Sequence, residues 1–159
     1  MKHFLILALL LINVLPARGA LLTGDSAPKV KVRDLKGAQF VVPDSLRGKV
    51  SVILFWSVGC SSCLEEMPAM EALYREYQRK GLAIVAVNVG QTREIVREAI
   101  SGRGISYPIL LDADNKMTES YDVAGVPRTV ILDRNGIVRF KIIGSVPGSK
   151  LKKLFQSLM

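Results

Sequence analysis

Runs of uninterrupted apolar residues alternate with amphipathic stretches along most of this chain. Val50-Ser-Val-Ile-Leu-Phe-Trp56 and Leu82-Ala-Ile-Val-Ala-Val-Asn88 lack a polar alternation, which predicts central strands covered on both faces. Between them Ser62–Lys80 reads as a helix. Met67, Met70, Tyr74 and Tyr77 recur on one face at spacings of three and four, and Gly81 ends the element. These Met and Tyr side chains are predicted core packing. Pro68 lies inside the helix and is expected to kink it. A second helix is predicted over Thr92–Gly102, with Ile95, Val96, Ala99 and Ile100 facing inward. Tyr107–Leu111 reads as a short strand. Thr129–Leu132 and Ile137–Ile143 flank Asp133-Arg-Asn-Gly136, whose Asn-Gly signals a hairpin. Lys150–Leu158 closes the chain as a helix. Lys29–Val32 and Gln39–Val42 are expected to form an N-terminal hairpin around Lys36-Gly37. Strand–helix–strand–helix followed by a hairpin and a helix predicts an α/β domain. Its mixed central sheet is flanked by helices on both faces and carries that N-terminal hairpin as an extension.

The first 19 residues differ from the rest. Lys2 precedes an apolar run from Phe4 to Leu15, Pro16 breaks it, and Ala17-Arg18-Gly19 supplies small residues for cleavage. Residues 1–19 therefore read as a signal peptide, and residues 20–159 as one domain. The apolar run falls short of the roughly 20 residues of a membrane span, and an uncleaved membrane tether is the alternative. Export predicts a periplasmic or extracytoplasmic, oxidising location. The formal net charge of +8 comes from scattered basic residues, with one tighter group at Lys150, Lys152 and Lys153. No aromatics interleave with them as in single-strand binders, so nucleic acid is not an expected partner. The bland reading is a solvated face, the alternative a weak attraction to anionic membrane surfaces.

Candidate chemistry centres on Cys60-Ser-Ser-Cys63, the only cysteines, at a strand-to-helix turn. Structural zinc needs four ligands, and the only histidine is His3 in the leader, so no metal site is predicted. A c-type haem attachment needs His directly after the second cysteine, where Leu64 stands. A purely structural cross-link over so short a loop would constrain the unfolded chain little. Thiol–disulfide exchange without a cofactor is the reading that fits, and any internal disulfide must join Cys60 to Cys63. Cys60, at the helix start, is predicted as the nucleophile and Cys63, one turn in, as the resolving thiol. Glu66 lies three residues further on the same face. Spacing leaves it open between proton exchange with Cys63 and a surface glutamate that complements the helix start, as Glu65 does. Val126-Pro127 is either an ordinary turn or a cis bond whose exposed backbone pairs with a substrate chain.

Taken together, Gly24-Asp-Ser-Ala-Pro28, Leu46-Arg-Gly-Lys49, Phe55-Trp-Ser-Val-Gly-Cys-Ser-Ser-Cys-Leu-Glu-Glu-Met-Pro68 and Gly125-Val-Pro-Arg-Thr-Val-Ile-Leu-Asp-Arg-Asn-Gly136 resemble the TlpA/ResA-like extracytoplasmic thiol–disulfide oxidoreductases of the thioredoxin fold. The resemblance implies reduction of protein disulfides, often in apocytochrome c during cytochrome c maturation, with electrons from a membrane thiol donor and the protein acting as a monomer. It implies a catalytic role for Glu66, a cis Pro127 packed against the cysteine pair, and substrate contacts at Trp56, Val126, Pro127 and Arg128. Leu54 stands where cytoplasmic thioredoxins keep a buried aspartate, Gly59 where most relatives have Trp, and Ser62 in place of a proline. Arg128 stands where Thr is common; facing the site, it would favour a thiolate. Three alternatives use the same fold. A thiol oxidase or isomerase differs in redox potential. A peroxiredoxin-like peroxidase would need Pro-x-x-x-Thr-x-x-Cys, which is absent, and a copper-delivery protein would need a histidine ligand that the mature chain lacks.

Overall fold

The long apolar runs become the centre of a seven-stranded sheet in a computed structural model that describes residues 19–159. The leader of residues 1–18 lies outside the described residues, and with it the expected signal segment. The strands are β1 (Val30–Asp34), β2 (Gln39–Val42), β3 (Val50–Trp56), β4 (Leu82–Val89), β5 (Ile109–Asp112), β6 (Arg128–Leu132) and β7 (Val138–Ile143). Their order across the sheet is β2-β1-β5-β4-β3-β6-β7. β3 pairs in parallel with β4 and antiparallel with β6, which puts its seven residues among the most enclosed in the chain. The fold is the predicted mixed α/β sheet. The N-terminal hairpin does more than extend it: β1 pairs antiparallel with β5 and so carries β2 as an edge of the same sheet.

Four helices cover the faces: α1 (Ser61–Tyr77), α2 (Arg93–Ile100), α3 (Lys116–Ser120) and α4 (Gly148–Gln156). Met67, Met70, Leu73 and Tyr77 of α1 pack with Val96, Leu151 and Phe155 against Val52, Leu54, Trp56 and Ile84. On the other face Met117 and Tyr121 join the segment around Leu21 and Ala27 over Ile53, Phe55, Val85 and Val87. The Tyr121 hydroxyl donates to the Pro28 carbonyl at 3.1 Å and ties that segment down.

Several boundaries move from the sequence expectation. α1 starts one residue earlier, runs through Pro68, and passes into a 3₁₀ turn at Gln78–Lys80. Gly81 ends it at φ +100°, a conformation that favours glycine. Ile95 does not face inward: it is exposed, whereas Val96 is fully buried and Ala99 and Ile100 are partly buried against the core as expected. α3 was not predicted, because five residues carry no helical period. Its start is organised by the buried Asp112, whose carboxylate accepts the N–H groups of Met117 (2.9 Å) and Thr118 (2.7 Å) and the Thr118 hydroxyl.

Candidate active site

β3 delivers its last residue, Trp56, to the edge of the sheet where α1 begins, and Ser57-Val58-Gly59 makes the turn between them. Cys60 caps α1 in an extended conformation, and its Sγ accepts the backbone N–H of Cys63 at 3.2 Å. The first turn carries no acidic residue, so the unpaired N–H groups and positive end of a 17-residue helix face this sulfur without a competing charge. Cys60 and Cys63 form a disulfide. Cys60 is half-buried with the Ser62 hydroxyl 3.6 Å from its sulfur, whereas Cys63 is 5% exposed. A Cβ on Gly59 would meet nothing within 4 Å, so the space at this residue, next to Cys60 in the chain, is open.

Beside Cys63 lies a small cavity of about 20 Å³, room for about one water-sized molecule. Leu54, Cys63, Glu66, Tyr107 and Pro127 are among its walls. Glu66 is therefore not a freely solvated surface group. It is half-buried, and its carboxylate accepts the Val146 N–H at 2.7 Å from the segment between β7 and α4. Glu65, by contrast, is exposed. Burial pushes the Tyr107 phenol well above its ordinary value, with the Glu71 charge adding to the effect. The Val126–Pro127 bond is cis, as the resemblance implied; a second cis bond, Val42–Pro43, was not anticipated. The Pro127 carbonyl accepts the Gly144 N–H at 2.9 Å, while Val126 makes no backbone hydrogen bond among the described residues.

Trp56 and Arg128, both expected as substrate contacts, line the cavity with Cys63, Glu66 and Pro127. Trp56 is 2% exposed and belongs to the core beneath α1, so it presents no surface to a partner. The cause is the strand: β3 is covered on both faces, and its side chains have no exposed side to leave by. Arg128 pairs with Phe55 across β3 and β6, and paired residues share a face. Arg128 is itself buried, its Nε has no hydrogen-bond partner among the described residues, and it lines the same cavity as Cys63 and Glu66. Residues that the sequence reading did not single out also bear on the site. Val146 and Tyr107 contact it from distant segments. Gln91 and Asn88 hold the turn before Cys60, and only Asn88, a polar residue at the end of an apolar strand, left a visible signal.

A strand-to-helix dithiol facing a cis-proline loop, on a mixed sheet in this order, defines the thioredoxin-like class. The AhpC/TSA family profile matches residues 23–141, and the chain belongs to this family as a ResA-like member. Thiol-disulfide oxidoreductase ResA of Geobacillus thermodenitrificans is 33% identical, over 92% of this chain and 83% of the relative. ResA of Bacillus subtilis is 30% identical, over 86% and 73%. The solved thioredoxin domain of a thiol-disulfide oxidoreductase from Bacteroides vulgatus superposes with a TM-score of 0.77 at 26% identity, covering 88% of this chain and all of that domain.

Proposed function

We propose that this protein is a protein-disulfide reductase working by dithiol exchange at Cys60 and Cys63. The observation that carries the reading is the asymmetry of the pair: Cys60 Sγ is reachable and hydrogen-bonded at the start of α1, while Cys63 is enclosed. Such a helix terminus contributes up to about 2 kcal/mol to a thiolate, equivalent to roughly 1.5 pKa units. The Cys60 thiolate attacks one sulfur of a substrate disulfide. The substrate S–S bond breaks, its second sulfur leaves as a thiolate, and a mixed disulfide forms. Cys63 then loses its proton and attacks the Cys60 sulfur, which releases the second substrate thiol and closes Cys60–Cys63. Two electrons pass to the substrate, and a thiol donor must return them.

Glu66 is the acid–base residue of the second step. It shares the cavity wall with Cys63, and the Val146 N–H fixes its carboxylate while leaving acceptor capacity for the Cys63 proton. The backbone N–H and C=O of Val126, free of other backbone partners and next to Pro127, receive an extended substrate segment by strand-like pairing. Arg128, which opens β6 directly after Pro127 and lines the cavity with Cys63 and Glu66, is a further substrate contact.

The protein works outside the cytoplasm, delivered by the leader of residues 1–19 and either released or held by it. Among the described residues no helix is long and apolar enough to cross a membrane. Apocytochrome c is the candidate substrate and a membrane thiol protein the candidate donor, as the sequence resemblance implies. The test is trapping. Cys63→Ser should accumulate a mixed disulfide with a reducible protein through Cys60, and Cys60→Ser should abolish both trapping and insulin reduction. Retained reduction in Cys60→Ser would sink the assignment. A reduction potential near −270 mV fits a reductase, and one near −120 mV would make the protein an oxidant instead.

A further inference from the structure

The turn that presents Cys60 is fastened at one point by a side chain from another part of the fold. The Val58 N–H donates to Gln91 Oε1 at 2.8 Å, from β3–α1 to the β4–α2 connection. The same oxygen accepts Asn88 Nδ2–H at 2.9 Å. Asn88 is wholly buried and lies beside Trp56 in the β3–β4 register, so it is anchored at the root of the turn that Gln91 grips at the tip. Within the turn, the only other backbone tie is the Cys60 N–H to the Ser57 carbonyl at 3.1 Å.

Asn88 holds this position against its own solvation. Its Oδ1 is buried with no hydrogen-bond partner, in a strand otherwise built of apolar residues. An apolar side chain would suit that strand better, and what the amide adds is the hold on Gln91. Gln91 in turn serves no core: it is half-buried, and its oxygen is committed to two donors.

We propose that Gln91, braced by Asn88, is the positioning residue for the attacking sulfur. It fixes Val58 and hence the turn that sets Cys60 Sγ on the Cys63 N–H. This rests on the reading of Cys60 as nucleophile and adds a residue that touches neither cysteine. A loosened turn lets the sulfur leave its fixed donors. The thiolate then loses stabilisation, Cys60 attacks more slowly, and the equilibrium moves toward the disulfide, because stabilising the reduced form is what makes such a pair oxidising.

Gln91→Met keeps the side chain's length and removes the acceptor, whereas Gln91→Glu keeps the acceptor. In the reduced full domain, Gln91→Met should slow Cys60 alkylation by iodoacetamide at pH 7 about three- to tenfold, the range open to one lost hydrogen bond. It should move the equilibrium with a thiol/disulfide buffer toward the disulfide by a similar factor, tenfold being about 30 mV. Gln91→Glu should restore both to within about twofold, and Asn88→Leu, which leaves Gln91 in place without its brace, should shift both in the same direction as Gln91→Met. Gln91→Met at parental rate and equilibrium overturns the proposal, and so does Gln91→Glu as impaired as Gln91→Met. A failure of the underlying reading looks different: alkylation in the parent protein would map to Cys63, or Cys60→Ser would still reduce insulin.

Discussion

Glu71 is a buried carboxylate in the middle of α1, 7% exposed, and it carries the connection between α2 and β5. It accepts the Ser106 N–H at 2.8 Å, the Ser106 hydroxyl at 2.6 Å and Arg75 Nε at 2.5 Å. Hydrogen bonds to a charged acceptor contribute about 1.5–3 kcal/mol each. Ser106 is exposed and regains water when its partner is cut back, and the Arg75 side chain is mostly solvated, so its share is small. Glu71→Ala should therefore cost about 2–3 kcal/mol of unfolding free energy, equivalent to roughly 6–12 °C in Tm for a domain of this size. Burial raises the Glu71 pKa, but the Ser106 and Arg75 contacts outweigh it and hold the carboxyl below its ordinary 4.5. A depressed folded value means that the stabilisation is full above pH 4.5 and is lost as pH falls through the lower folded value. Parent and variant curves should thus converge in acid. The assay is urea unfolding of the oxidised protein at pH 7 and at a series of values down to pH 3. A difference below about 0.5 kcal/mol at pH 7, or one that grows toward acid, would refute the reasoning.

Two further outcomes are expected. Phe155 is fully buried on α4 and meets the Tyr77 ring edge-on at 5.1 Å, so Phe155→Ala should cost about 3–5 kcal/mol; a loss under 1 kcal/mol in chemical denaturation would mean that α4 contributes little to the core. Glu66→Gln keeps the shape and an acceptor for the Val146 N–H but cannot take a proton. It should lower the resolving step about 10²-fold or more and remove one limb of the pH–rate profile, while leaving stability within about 1 kcal/mol; an unchanged profile in stopped-flow single turnovers would end the acid–base assignment.

The chemistry of the site was legible because it is local. Cysteines three residues apart at a strand-to-helix junction occupy a helix start wherever that helix packs; the spacing put Glu66 on the same face but left its role open. The core face of α1 was legible for the same reason: Met67, Met70 and Tyr77 share one stripe, and all three are buried. The apolar runs of β3 and β4 announced a sheet covered on both sides. They could not say which residue faces which layer, because a strand without polar alternation is symmetric to its own sequence. Only the pairing put Trp56 under α1 and set Arg128 opposite Phe55. The partners that tune the site come from far along the chain: Val146 reaches Glu66 across 80 residues, and Gln91 reaches Val58 across 33. Such contacts leave no periodic trace, since each is a single polar side chain whose meaning appears when two loops meet. The sequence by itself determined the strands, the main helices and the reacting pair. The tertiary structure decided what stands behind and beside that pair, because sheet order and loop approach are set by the packing of the whole chain.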